Sequence, residues 1–273
     1  MPASKPTDWD ALWDRYRELM PQIHRGFAYW RSQPGNPKHW NGWQRALKKR
    51  DVLDRDLGLA IQTRHRDDIA WLARALSDDD RKWMVARACK RGKNVPKRLF
   101  EPMLRAAVYE RNPSRNRAFV DLGLKAFGHR RVIVRLLAYI EVGSEFEMAG
   151  AVNALYWSRR ATGCADLGPR VHETFLREFV RNDDVDVRRS LIGQLELRNP
   201  QVYSESSRPL VKQAITIAEN SPDEYIRHRV KTQLGARPPY QPLPPRGTPA
   251  VETGPLRRAV RTLLAAFRLR SLW

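Results

Sequence analysis

The sequence lacks the residue patterns on which most recognisable catalytic and metal sites depend. Its two cysteines, Cys89 and Cys164, stand far apart and in no C-x-x-C context, so neither a disulfide framework nor a zinc site is predicted. None of the six histidines has a metal-ligand spacing such as H-E-x-x-H. The fifteen glycines form no phosphate-binding loop, and there is no G-x-S-x-G. No cofactor, no metal and no catalytic residue is therefore predicted.

Long apolar runs and alternating strand patterns are also missing. No stretch approaches the eighteen or so uncharged apolar residues of a membrane span. The N-terminal residues MPASKPTDWD contain no apolar core of signal-peptide length. Between Trp9 and Leu234 the apolar residues recur at helical spacing instead of alternating. We therefore expect an all-α protein located in the cytoplasm.

Negative charge is scarce relative to positive charge. The chain contains 50 lysines and arginines against 30 aspartates and glutamates, which gives a formal net charge of +20. Such an excess favours polyanionic partners, namely nucleic acid, anionic lipid or an acidic protein. A GC-rich coding sequence would also raise the arginine content without any selection for binding.

One feature that is present is a repeat of 39 positions. The repeated apolar positions are Val187, Leu191 and Leu195, then Ile226, Val230 and Leu234, and upstream Met148, Val152 and Tyr156. A preceding stripe obeys the same register at Val132, Leu137 and Ile140, at Val171, Leu176 and Phe179, and at Leu210, Ile215 and Ala218. Spacings of three to five residues place each set on one face of a helix. Each unit is therefore predicted to be a helix, a short polar turn and a second helix.

The turns between these helices carry residues that begin helices. They are Ser144 with Glu147 and Ser221 with Glu224, which have capping-box spacing, Pro222 as a first helical residue, and Asp183 as a cap. Looser copies upstream predict a fourth helix pair over residues 96–127 and a fifth over residues 68–91.

The best-preserved turn resembles that of the HEAT repeat family, which has an aspartate in the turn and a Val-Arg pair opening the second helix. Asp183-Asp184-Val185-Asp186-Val187-Arg188 fits this pattern, and Asp223 with Ile226-Arg227 fits it too. The resemblance covers residues 67–235. It implies a right-handed, armadillo-type α-solenoid of about five helix pairs, in which each unit packs only on its neighbours.

Residues 1–66 differ in character from the repeats and are predicted to form an N-terminal helical cap of two or three helices. An aromatic stripe from Trp9 to Leu19 ends, on this prediction, at Pro21. Trp40 and Trp43 follow a break at SQPGNP. These two tryptophans either pack inside the cap or stand exposed and stack on a base or on a partner side chain.

The C-terminal residues divide into two segments. Residues 236–255 are Pro-rich and are predicted to be a semi-extended linker. Residues 256–273 form a basic amphipathic helix without any acidic residue. This helix either caps the last repeat, docks on a partner, or lies on an anionic membrane surface.

The predicted binding surface lies on the second helices, which line the concave face if the HEAT resemblance holds. Its candidate residues are Arg87, Arg91, Arg117, Arg159, Arg160, Arg188, Arg189, Arg227 and Arg229. Arginines on successive units can follow a phosphate backbone. Helical repeats, however, also carry charge on their solvated faces.

These observations predict a non-catalytic interaction scaffold that binds an acidic protein or nucleic acid. One enzyme class stays open, the HEAT-like alkylpurine DNA glycosylases, which share the size, fold and charge. Their Trp-Trp-Asp-x-x-Asp segment is absent. The most similar residues, Trp9-Asp10 and Trp13-Asp14, lie in the predicted N-terminal cap. A third reading is a scaffold tethered to an anionic membrane by residues 256–273.

Overall fold

The described part of the chain is entirely helical. The computed structural model describes residues 6–32, 37–62, 65–158 and 164–235, with side chains left out for 29–41. Within these ranges there are twelve α-helices and no strand, so the all-α prediction is confirmed. The α-helices are α1 (Trp9–Ser32), α2 (Pro37–Ala60), α3 (Arg66–Ala75), α4 (Arg81–Arg91), α5 (Phe100–Val108), α6 (Arg117–Phe127), α7 (His129–Val142), α8 (Glu145–Ser158), α9 (Gly168–Arg181), α10 (Val185–Ile192), α11 (Arg208–Glu219) and α12 (Glu224–Leu234). Short 3₁₀ helices are Lys97–Leu99, Ala165–Leu167 and Pro200–Val202. The predicted linker and C-terminal helix lie outside the described residues.

The helices pack mainly on their near neighbours in sequence. Each even-numbered helix from α2 to α10 packs on the next even-numbered one. Among the odd-numbered helices, α3 packs on α5, α7 on α9, and α9 on α11. The helices of each predicted pair also pack on one another. The fold is therefore built from local contacts, and one continuous apolar core runs from Trp9 to Val230.

The 39-residue register agrees with burial at two of its three second-helix positions. Val187, Ile226 and Met148 are all buried, and so are Leu191, Val230 and Val152. The third position differs, because Leu195 is 4% exposed while Leu234 is 38% and Tyr156 is 49% exposed. The reason is that α10 ends at Ile192, so Leu195 packs from the connection that follows the helix.

The helix starts confirm one predicted cap and correct two. The Ser144 N–H donates to the Glu147 carboxylate at 3.0 Å and the Glu147 N–H donates back to the Ser144 hydroxyl at 3.4 Å, which is a capping box. The cap of α10 is Asp184 and not Asp183, since Asp184 accepts from the N–H groups of Asp186 and Val187.

At α12 the predicted Ser221–Glu224 capping box does not form. Asp223 caps the helix by accepting from the Ile226 N–H at 3.0 Å, and Ser221 accepts from the Asp223 N–H at 3.2 Å. Pro222 precedes this cap and is not a first helical residue. Asp184 and Asp223, which are equivalent in the repeat, therefore perform the same capping role.

Pro21 does not end α1, contrary to the prediction. The helix continues to Ser32, and Leu19 and Ile23 on either side of the proline are both buried. Proline removes one backbone hydrogen bond and crowds the preceding turn, at a cost of about 3 kcal/mol. The continuous apolar face of α1 offsets that cost by packing along α2 and α4.

Gly150 on α8 marks a close approach between helices. A β-carbon at this position would stand 2.0 Å from the Val108 carbonyl oxygen at the end of α5. We expect Gly150→Ala to lower the free energy of unfolding by about 1–3 kcal/mol, because the helices must separate. Gly42→Ala is the matched control: its β-carbon meets nothing within 4 Å, so alanine should raise the free energy by about 0.5–1 kcal/mol.

Urea denaturation followed by circular dichroism measures both changes. Equal stability of the Gly150→Ala variant and the unmodified chain would contradict the close packing of α8 on α5.

Candidate anion-binding site

Most of the predicted binding arginines are already engaged by acidic side chains. Arg87 and Arg91 on α4 both donate to Asp54 on α2, the Arg91 Nη2 at 3.1 Å from Asp54 Oδ2. Asp54 is 2% exposed, and a buried carboxylate is costly unless donors compensate it. These two arginines therefore hold α2 against α4.

The arginine pair on α10 is engaged in the same way. Arg189 Nη2 lies 2.6 Å from Asp223 Oδ2, and Arg188 Nη2 lies 2.7 Å from Asp183 Oδ1. The Arg189 guanidinium, together with the Ile226 N–H, holds the pKa of Asp223 below its ordinary value. Because Asp223 caps α12, Arg189 links α10 to the start of the next second helix.

The remaining predicted arginines lie apart from these. Arg117 pairs with Asp121 at 3.2 Å and lies over the Trp157 ring at 5.0 Å. Arg227 donates to the Ser221 carbonyl before α12. Arg229 lies over the Tyr225 ring, and its buried Nε has no hydrogen-bond partner among the described residues. Arg159 and Arg160 lie outside the described residues.

Of the two alternatives for Trp43, the structure agrees with packing and not with exposed stacking. Its side chain is 7% exposed, it packs against Gly26, and its ring centroid is 6.3 Å from that of Phe27. Trp43 therefore joins α2 to α1, as the packing alternative requires. The side chain of Trp40 lies outside the described part of the structure.

Trp9, one of the residues most similar to the glycosylase segment, is also a packing residue. It is 2% exposed and stacks on Trp71 with ring centroids 5.6 Å apart. The neighbouring Asp10 accepts from the Trp71 Nε1 at 3.2 Å. This pair fixes the start of α1 on α3.

A basic cleft of about 630 Å³ lies where α4 and α6 end. Its charged lining consists of Lys93, Lys97, Arg98 and Lys125. Gln62 and Asn94 are the polar neutral side chains of the lining, and the walls are completed by apolar residues such as Ile69, Val95 and Leu122. No acidic residue of the described chain lines this cleft, which we call the basic cleft.

The local sequence explains how the cations are positioned. Gly92 ends α4 in an extended conformation, and the chain turns at Pro96 into the 3₁₀ helix Lys97–Leu99. Leu99 is fully buried, whereas Lys97 and Arg98 are exposed. One apolar anchor thus fixes two neighbouring cations at the mouth of the cleft.

Charges in the basic cleft are not neutralised within the described residues, where none of the four cations forms an ion pair. Lys125 lies in the last turn of α6, so it also complements that helix dipole, a contribution of about 0.3–1 kcal/mol. Lys93 lies beyond the end of α4, and Lys97 and Arg98 lie in the short 3₁₀ helix that precedes α5. An anion bound among the four cations would reduce their mutual repulsion.

The sequence contains a signal for this cleft that periodicity did not reveal. Between Asp80 and Glu101 there are eight lysines and arginines and no acidic residue. The run contributes Lys93, Lys97 and Arg98, and only Lys125 comes from elsewhere. A count of acids along the chain would have identified most of the site.

A second concave surface of about 760 Å³ adjoins the basic cleft. Its lining includes Phe100, Phe127, Arg130, Arg131 and Arg135, and we call it the aromatic cleft. Ala126 lines the basic cleft, and the next residue, Phe127, lines the aromatic cleft. Likewise, Arg98 lines the basic cleft and Phe100 lines the aromatic cleft. The two clefts have no lining residue in common, but residues one or two positions apart in the chain line them, so they lie close together.

No family model, curated protein or solved structure matches this chain. Among the described residues, no cluster of three or more histidine, cysteine, aspartate or glutamate side chains is placed to hold a metal ion. In the same ranges, no helix has both the length and the apolar character needed to cross a bilayer.

Cys89 lines the basic cleft and offers a test of how well its floor is closed. The thiol is 2% exposed, and burial raises its pKa to about 12. At pH 8 only about one molecule in ten thousand would carry the reactive thiolate. A colorimetric thiol reagent should therefore leave Cys89 unmodified in the folded chain, while the more exposed Cys164 reacts.

Addition of urea should release the second equivalent of thiol. Peptide mapping of the modified sites distinguishes the two cysteines, and rapid modification of Cys89 in the folded chain would contradict a closed floor.

Proposed function

We propose that this chain is a HEAT-like α-solenoid that acts as a non-catalytic scaffold for nucleic acid. Three observations support the architecture: the contacts between near neighbours in sequence, the shared burial of two of the three equivalent second-helix positions, and the equivalent caps Asp184 and Asp223. The array starts from α1 and α2 as a cap and continues through five helix pairs, α3–α4 to α11–α12. In such an array each unit is stabilised by the next one.

The observation that carries the binding function is the basic cleft. Four cations line it, and no acid of the described residues faces them. Phosphate groups satisfy such cations directly, and a net charge of +20 draws a polyanion toward the chain. The proposed site therefore lies on the segment 92–98 and the end of α6, and not on the arginines of α10 and α12.

The composition of the cleft favours nucleic acid over an acidic protein. Three of its four cations are lysines, which are depleted at protein interfaces, whereas arginine and aromatic residues are enriched there. Lysine binds phosphate as a point charge. A phosphate backbone therefore suits the cleft better than a carboxylate-bearing protein surface.

The salt dependence of binding tests the site. We expect the chain to bind a labelled oligonucleotide of about twenty residues with an affinity that falls as salt rises. Lys93→Gln combined with Lys97→Gln removes two phosphate contacts and should reduce the slope of log K against log salt by about 1.5. Fluorescence anisotropy at several salt concentrations measures the slope.

The matched control is Lys212→Gln combined with Lys231→Gln, which removes the same charge from two exposed lysines on α11 and α12. This control should keep most of the slope. Equal loss in both double variants would show that binding follows total charge and not the cleft. Absence of binding to any oligonucleotide at low salt would overturn the nucleic-acid partner.

A further inference from the structure

The aromatic cleft differs chemically from the basic cleft beside it. Phe100 and Phe127 meet edge to face, with ring centroids 5.3 Å apart and an interplanar angle of 77°. Val134, 39% exposed, and Ala138 add apolar surface. The cleft is thus a mainly apolar concavity at the edge of a strongly cationic one, which matches the two chemistries of a nucleotide.

Two of the three arginines around this cleft are already neutralised. Arg135 binds the Glu101 carboxylate through both Nε and Nη2, the closest approach being 2.7 Å, and Arg130 pairs with Asp166. Although burial opposes its ionisation, the hydrogen bonds from Arg135 and Tyr139 hold the pKa of Glu101 below its ordinary value. These arginines therefore shape the rim and contribute little net charge.

Arg131 is different, because it has no acidic partner among the described residues. Its guanidinium carbon lies 4.0 Å from the centroid of the Phe100 ring. A planar guanidinium held over an aromatic ring is itself a stacking surface for a flat ligand. Arg131 is exposed, so it and Phe127 offer a base two flat groups at the edge of the cleft.

We propose that the aromatic cleft receives unstacked bases of a single strand whose phosphates lie in the basic cleft. This inference rests on the proposed function and names the class of its ligand. Bases in a duplex are stacked and reach such a cleft only after extrusion from the helix, which costs free energy. Bases in a single strand stack on aromatic side chains irrespective of sequence. The chain therefore prefers single-stranded nucleic acid to duplex.

Three probes of equal length separate the base contact from the phosphate contact: an oligothymidylate, an abasic oligodeoxynucleotide and a duplex. We expect the oligothymidylate to bind about tenfold more tightly than the abasic strand, because only the former can stack. It should also bind more tightly than the duplex at equal salt. Anisotropy titrations at one fixed salt concentration give the three affinities.

Two variants assign the preference to the aromatic cleft. Phe127→Leu keeps apolar bulk but removes the ring, and Arg131→Lys keeps the charge but removes the planar group. Each should weaken oligothymidylate binding about five- to tenfold and leave abasic binding unchanged. Phe146→Leu, which replaces an aromatic side chain 49% exposed on α8, is the matched control and should change neither. Thermal unfolding verifies that each variant is folded.

The outcomes distinguish this inference from the function on which it rests. Equal affinity for the oligothymidylate and the abasic strand, or tighter binding of the duplex, would overturn base recognition. The salt-dependent role of Lys93 and Lys97 would then remain. Failure of all three probes to bind would overturn both. Should Arg131→Lys bind the oligothymidylate normally while Phe127→Leu does not, the stacking surface is Phe127 and the role of Arg131 is overturned.

Discussion

The structure depends on the burial of apolar helix faces between consecutive helices. A single helix pair cannot cover its own apolar face, so each pair requires the next one. The continuous core from Trp9 to Val230 shows the result. This core holds the helices together. The ion pairs between helices then fix the contacts between neighbouring helices. Asp54 fixes α2 on α4, and Asp223 joins α10 to α12.

This division explains why a strongly basic chain has so few free arginines on its second helices. Where an acid is available on the adjacent helix, the arginine stem packs and its head pairs. The segment 81–100 has no acid of its own. Of its cations, Arg87 and Arg91 reach Asp54 on α2, whereas Lys93, Lys97 and Arg98 reach no acid of the described residues. These three unpaired cations of the segment line one cleft, where they are available for phosphate.

Apolar spacing was sufficient to predict the helix pairs, because apolar residues recur at helical spacing in each unit. The 39-residue register itself fails at some positions: Leu234 and Tyr156 are exposed, and α11 buries Val211 and Ala214 where the register predicts Leu210 and Ile215. Features that depend on contacts between residues far apart in the chain could not be predicted from the sequence. Arg87 and Arg91 bind Asp54, which lies 33 and 37 positions away in the chain. The sequence alone therefore gives no sign that these arginines are paired. Asp183 and Asp184 are chemically equivalent as caps, so the sequence does not choose between them. In the structure Asp183 pairs with Arg188 and Asp184 caps α10. Lys125 reaches the basic cleft only because α6 packs on α4.

We propose that the unneutralised cations of the basic cleft, and not the arginines of α10 and α12, contact the polyanion. Amide hydrogen exchange of the whole chain, with and without a saturating single-stranded oligonucleotide, tests it most directly. Protection is expected over residues 92–98 and 122–135. Residues 185–192 and 224–234 should exchange as in the free chain. Protection confined to those two helices, with none around residues 92–98, would contradict the claim.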